Sequence, residues 1–123
     1  MKRPTEILHR KKSNTLVISF EDGVKAELPS EYLRCFSPSA EVKGHGEGQE
    51  KLQIGKENVF IDNIEPVGNY AVKLIFDDGH NTGLYSWDYL YELSVNHETN
   101  WNAYLEKLKK AGVNRKKINV KKN

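Results

Sequence analysis

Cysteine is nearly absent: Cys35 is the only one in 123 residues. No disulfide can therefore close within the chain, and an all-cysteine metal site cannot be built from one copy of it. No apolar run approaches the length of a membrane span. The opening residues, MKRPTEILHRKK, are basic with no apolar stretch behind them, so no secretory signal is expected. Four prolines and nine glycines are too few for a collagen-like or low-complexity chain. GxSxG, P-loop, HExxH and CxxC patterns are all missing, which removes the enzyme classes that carry them. These absences describe a cytoplasmic protein outside the membrane, with no motif-borne catalysis.

What is present suffices for one modest core. Hydrophobic residues make up 37% of the chain and aromatic residues 10%, which argues against disorder throughout. The net charge of +2 hides an uneven distribution. Residues 1–12 carry a net +4 and residues 104–123 a net +7, while residues 13–103 hold fifteen acidic against six basic side chains. Clustered Lys and Arg in the tail GVNRKKINVKKN could reach phosphates by releasing counterions. An acidic body would repel a duplex, however, and the tail has no aromatic on which a base could stack. Nucleic acid is not expected as a partner. Residues 1–112 read as a single domain and residues 113–123 as a basic, flexible tail.

Residues 15–20 alternate, with Leu16, Ile18 and Phe20 on one face. Asp22-Gly23 signals a hairpin, and Val24, Ala26 and Leu28 read as the return strand. Thr5 to His9 reads as a strand before this pair. Ser30 is placed to cap a short helix carrying Tyr32, Leu33 and Phe36. Residues 37–51 form the longest stretch without an expected element. Leu52 to Ile54 and Val59 to Ile64 read as two strands joined through Gly55-Lys56. Tyr70 to Phe76 is a strong strand, with Tyr70, Val72, Leu74 and Phe76 on one face. Asp78-Gly79 turns the chain into a short strand near Gly83 to Tyr85. Ser86 is then placed to cap a helix starting at Trp87-Asp88. A last helix over about 98–111 shows the stripe Trp101, Tyr104, Leu105, Leu108 and stops at Gly112. The fold class is α+β, with a small, mainly antiparallel sheet built from hairpins and two or three helices.

An internal repeat runs through this pattern. Phe20-Glu-Asp-Gly23, Leu28-Pro-Ser30 and Tyr32-Leu33 recur as Phe76-Asp-Asp-Gly79, Leu84-Tyr-Ser86 and Tyr89-Leu90. The offset is 56 residues up to the serines and 57 after them. A strand, hairpin, strand and helix used twice would pack as pseudo-symmetric halves, although a shared hairpin grammar produces similar strings.

Few residues could carry chemistry. Cys35 with His45 or His80 would make a thiolate pair, against the plainer reading of a partly buried structural thiol. Asp77-Asp78 beside His80 could hold a metal or polarise a water, or simply close a turn on its own backbone. Seven tyrosines and tryptophans between Tyr70 and Tyr104 read as packing rather than as a ligand cage.

Several segments, in order, resemble one known domain. They are Pro4-Thr5-Glu6-Ile7, Phe20-x-Asp22-Gly23, Leu28-Pro29-x-Glu31-x-Leu33-Arg34, Ser37-Pro38-Ser39-Ala40-Glu41-Val42 and Gly44-His45-Gly46. Ile64-x-Pro66-Val67-Gly68-Asn69-Tyr70-Ala71 follows, then Phe76-x-Asp78-Gly79-His80-x-Thr82-Gly83-x-Tyr85-Ser86-Trp87-x-Tyr89-Leu90. Over about residues 4–93 the chain resembles the N-terminal domain of gamma-butyrobetaine hydroxylase, in its small free-standing bacterial form. That resemblance implies an accessory domain. In the hydroxylase, catalysis belongs to a separate oxygenase domain using iron and 2-oxoglutarate, which these 123 residues do not contain. A similar domain is joined to Mrp-type P-loop proteins that carry iron–sulfur clusters.

The resemblance also implies a structural zinc held by three cysteines and a histidine. The histidine matches His80, but the cysteine positions, spaced C-x-C-x-x-C after a Leu-Arg pair, are Ser37, Ser39 and Val42 here. Hydroxyls with a high pKa are poor zinc ligands, so that site is expected to be lost and the serines to bond within their turn. Two readings follow. In the first, the chain is a non-enzymatic adaptor with an unknown protein partner, linked to iron–sulfur or metal handling, and uses no cofactor. Its contact surface would join Arg34, Ser37, Ser39, Asp78 and Trp87. In the second, it binds zinc or iron through His80, His45 and Cys35.

Overall fold

The computed structural model describes residues 2–44 and 51–115. The chain forms two three-stranded antiparallel sheets and four helices, a small α+β fold. The first sheet contains β1 (Pro4–Arg10), β2 (Thr15–Phe20) and β3 (Lys25–Pro29), followed by α1 (Ser30–Cys35) and α2 (Ala40–Lys43). The second contains β4 (Ile61–Val67), β5 (Ala71–Phe76) and β6 (Gly83–Ser86), followed by α3 (Trp87–Val95) and α4 (His97–Lys110). Both sheets are meanders in chain order. Among the described residues, no helix is long and apolar enough to cross a membrane.

The repeat seen in the sequence is a repeat of structure. In β1–β2, Glu6 faces Ser19 and Ile7 faces Ile18; in β4–β5, Asn63 faces Ile75 and Ile64 faces Leu74. The central strands thus differ by 56 residues and the outer ones by 57, with a register shift at the same place in each pair. Both hairpin turns close alike. The Phe20 amide donates to the Val24 carbonyl at 2.8 Å, and the Phe76 amide to the His80 carbonyl at 2.9 Å. Only the glycine takes a positive φ, +91° at Gly23 and +88° at Gly79, so each turn bends through one left-handed residue.

The inward rows of both sheets and one face of α1 and α3 share a single core. Leu16, Ile18, Leu28, Leu74, Tyr32, Tyr85 and Leu90 are fully buried in it. A second, smaller cluster joins Cys35, Tyr104 and Leu108, with Leu52 and Val113 packed against it.

Several local expectations give way to packing. Leu52 to Ile54 form no strand, and β4 begins only at Ile61. The Gln53 carbonyl accepts from the Tyr104 hydroxyl at 2.7 Å, which satisfies a group that a strand would have offered to a neighbour. Ser30 does not cap α1: its hydroxyl donates to the Asn14 side chain at 2.6 Å. Ser86 does cap α3, accepting from the Tyr89 amide. Tyr70 lies before β5 and is exposed rather than inward. A short helix, α2, occupies part of the stretch with no expected element. The chain also remains packed beyond Gly112: Val113 joins the second cluster, and Arg115 pairs with Glu31 across α1. Residues 116–123 lie outside the described residues.

Candidate functional site

Some of the residues singled out from the sequence, Arg34, Ser37, Ser39, Asp78 and His80, meet around the β5–β6 hairpin, though not as a surface. β5 ends at Phe76, and the turn Asp77–Gly79 delivers His80 inward, where it is 3% exposed. Facing it, the end of α1 and the start of α2 bring in Ser37, fully buried, and Ser39, 7% exposed. The His80 Nε2 lies 2.8 Å from the Ser37 Oγ, and Nδ1 lies 2.9 Å from the Glu41 Oε2. A carboxylate can only accept, so Nδ1 carries the proton and Nε2 accepts from the Ser37 hydroxyl. Ser37 Oγ in turn accepts from the Ser39 amide, Ser39 Oγ accepts from the Glu41 amide, and the Ser39 and Thr82 hydroxyls lie 2.6 Å apart. The serines thus bond within their own turn while tying it to the hairpin. Burial lowers the His80 pKa, and the Arg34 charge lowers it further, against the opposing pull of Glu41.

Serine, histidine and glutamate stand here in the order of a hydrolytic triad, yet the arrangement is closed. Ser37 has no exposed surface. Gly83 abuts it so tightly that a Cβ on the glycine would lie 2.6 Å from the Ser37 Oγ. A nucleophile needs room for the carbonyl it attacks and donors for the resulting oxyanion. Gly83 takes up the first requirement with its own backbone. The chemistry this geometry supports is a buried tie between α2 and the β5–β6 hairpin.

Of the four positions that correspond to the zinc ligands of the resembled domain, Ser37, Ser39 and His80 come together, but the side chains do not fit a zinc ion. Ser37 and Ser39 offer neutral hydroxyls, Val42 is a buried aliphatic side chain, and both His80 nitrogens are hydrogen-bonded. Among the described residues, no group of three His, Cys, Asp or Glu side chains is placed to hold a metal. Cys35 lies in the second cluster beside Tyr104 and Leu108, and burial raises its thiol pKa to about 11. His45, the third candidate ligand, lies outside the described residues.

Arg34 and Asp78 belong to the outer edge of this region. The Arg34 Nε donates to the Asp78 Oδ2 at 2.9 Å, and the Lys56 Nζ reaches the same oxygen at 3.0 Å. Arg34 also donates to the Gln53 Oε1 at 3.0 Å. At 7% exposure Arg34 is an internal tie, whereas Asp78 stays at the surface. Trp87 is elsewhere. Its indole donates to the Asn69 carbonyl at the other end of β5, roughly 16 Å away at the rise of a strand. The expected surface of Arg34, Ser37, Ser39, Asp78 and Trp87 therefore divides into three buried ties, one exposed turn residue and one distant indole. Glu41, Thr82, Lys56 and Gln53 complete the network. Nothing local in the sequence marks them, because each is recruited from 19 to 43 residues away.

Residues 7–91 match the family described as gamma-butyrobetaine hydroxylase-like, N-terminal. The chain belongs to this family. It is similar to two proteins whose solution structures were determined by NMR. One is 46% identical with a TM-score of 0.82, over 98% of this chain and 97% of that one. The other is 47% identical with a TM-score of 0.79, over 100% of this chain and 94% of that one. It is also similar to a crystallised protein of unknown function from Acidithiobacillus ferrooxidans, of the DUF971 family. That protein is 37% identical with a TM-score of 0.64, over 75% of this chain and 92% of that one. No curated protein matches.

Proposed function

We propose that the chain is a non-catalytic adaptor domain of the cytoplasm that acts by protein contact. One observation carries this reading: the reactive side chains Ser37 and His80 are buried and bonded to each other, with the exposed Glu41 carboxylate holding the imidazole, while large apolar groups stand outside beside the same turn. Phe60 is 43% exposed and Ile54 50% exposed. Phe60 and Asp77 are joined by two hydrogen bonds, Phe60 amide to Asp77 Oδ1 at 3.0 Å and Asp77 amide to the Phe60 carbonyl at 2.8 Å. Ile54 follows Gln53, which Arg34 holds to the same turn. Phe60 beside Asp77, and Ile54 in the segment that Arg34 and Lys56 tie to Asp78, offer apolar groups next to polar ones, as contact patches do. The resemblance to domains joined to iron–sulfur P-loop proteins supports a partner that handles iron–sulfur clusters or metal.

Cross-linking of the full chain in its own cells, followed by identification of captured proteins, tests this reading. Phe60→Asp and Ile54→Asp should each abolish capture of a specific partner while the melting temperature holds. Leu84→Asp, on the outer face of β6, should leave capture intact. Equal capture by all three variants would overturn the proposal.

A further inference from the structure

A groove lies between α4, the end of α1 and residues 51–53. Its volume is about 520 Å³, within the range of small-molecule sites. The floor is apolar: Phe36, Leu52, Tyr104 and the Cys35 thiol belong to the second core cluster. The rim carries Lys43, Lys51 and Lys107, and none of the described residues lining it is acidic. This concentration runs against the charge of the surrounding chain, which has six basic side chains across residues 13–103. Two of those six, Arg34 and Lys56, are already paired with Asp78. Of the remaining four, two stand on this rim, and Lys107 joins them from α4. Lys43 rests over the Tyr89 ring at 5.0 Å, and Lys51 and Lys107 have no carboxylate partner among the described residues.

We infer that this groove binds a small anionic amphiphile, a carboxylate on an apolar chain, with the chain on the Phe36–Leu52–Tyr104 floor and the carboxylate among the three lysines. The charge sign excludes a cationic head group, and the apolar floor disfavours a bare inorganic anion, which would leave that surface facing water. Lysine ammonium groups act as point charges on flexible stems, so they can gather one carboxylate without a fixed fork. The proposal is independent of the adaptor reading, because neither Phe60 nor Asp78 lines the groove.

Titration of the full-length 15N-labelled protein with decanoate, below its micellar concentration, tests the inference by amide shifts. Decanol serves as the neutral chain and acetate as the anion without a chain. Decanoate should give saturable shifts confined to Phe36, Leu52, Ala103, Tyr104 and their neighbours, while acetate gives none. Decanol, or the double variant Lys51→Gln/Lys107→Gln with decanoate, should bind about tenfold more weakly, the equivalent of losing one favourable charge contact. Ala103→Trp, a change at an exposed helical position, should fill the groove and abolish the shifts with the rest of the spectrum unchanged. Absence of saturable shifts would overturn the proposal. So would shifts scattered over the outer sheet faces, or equal affinity for decanoate and decanol in both proteins.

Discussion

Tyr32 and Tyr89 occupy equivalent places in the two halves of the repeat, and each donates its hydroxyl to the other half. Tyr32 reaches the Leu93 carbonyl at 2.7 Å and Tyr89 reaches the Phe36 carbonyl at 2.6 Å. Leu93 and Phe36 are themselves 57 residues apart, so the exchange follows the internal symmetry. The hairpin turns are linked in the same manner. Arg34 of α1 bonds Asp78 of the second turn, and its equivalent in α3, Tyr91, bonds Asp22 of the first at 2.6 Å. Each half therefore ties down the helix ends and turn of the other, and the two meanders fold as one unit.

Removing either hydroxyl leaves a carbonyl at the helix end without its donor. Tyr32→Phe should cost about 1–3 kcal/mol and Tyr89→Phe somewhat less, because Tyr32 is fully buried and Tyr89 is not. Urea denaturation of the two single variants and the double variant reads this directly. A neutral Tyr32→Phe would show that the exchange holds no stability.

The end of the described chain closes a buried charge. Glu31 is 6% exposed, and both of its carboxylate oxygens accept from Arg115, whose guanidinium also lies 5.2 Å from the Trp101 ring centre. Arg115→Ala leaves the carboxylate buried and alone, so it should lower stability by about 3 kcal/mol. Adding Glu31→Gln should restore much of that loss. Two single losses that simply sum in the double variant would refute the pairing as their cause.

Stability should fall on mild acidification. Burial lowers the pKa values of His80, His9 and His97, assisted at His80 by Arg34 and at His9 by Lys11. A histidine whose folded pKa lies below 6.5 binds fewer protons in the native state than in the unfolded one. Its contribution is complete above 6.5 and declines as pH drops through the folded value. Melting temperatures from pH 8 to pH 5 should therefore decrease, and His80→Gln should flatten part of the slope. An unchanged slope in that variant would place the titration elsewhere.

Chelation separates a hydrogen-bonded tie from a metal site. EDTA should leave the melting temperature unchanged, and protein purified without an affinity tag should hold no stoichiometric zinc or iron. His80→Ala should still destabilise by about 1–3 kcal/mol, because it strips Ser37 of its acceptor inside the fold. One equivalent of metal that disappears in His80→Ala would instead establish the metal-binding reading.

The sequence by itself determined the Asp-Gly hairpins, three of the four helices and the repeat. Asp-Gly turns, period-two alternation and the Trp101–Leu108 stripe are set by neighbours a few residues apart, where backbone geometry decides the outcome. Local pattern misled at Leu52–Ile54, where a short apolar run met a tyrosine hydroxyl rather than a partner strand, and at Ser30, whose hydroxyl found Asn14. Only the tertiary structure decided that Ser37 meets His80, that Gly83 closes the space between them and any substrate, that Arg115 answers Glu31, and that Trp87 stands apart from Asp78. These depend on contacts between residues 43 to 84 positions apart and on which end of a strand each occupies. Residue type specifies what a side chain can bond, whereas packing of the two halves selects the partner it meets.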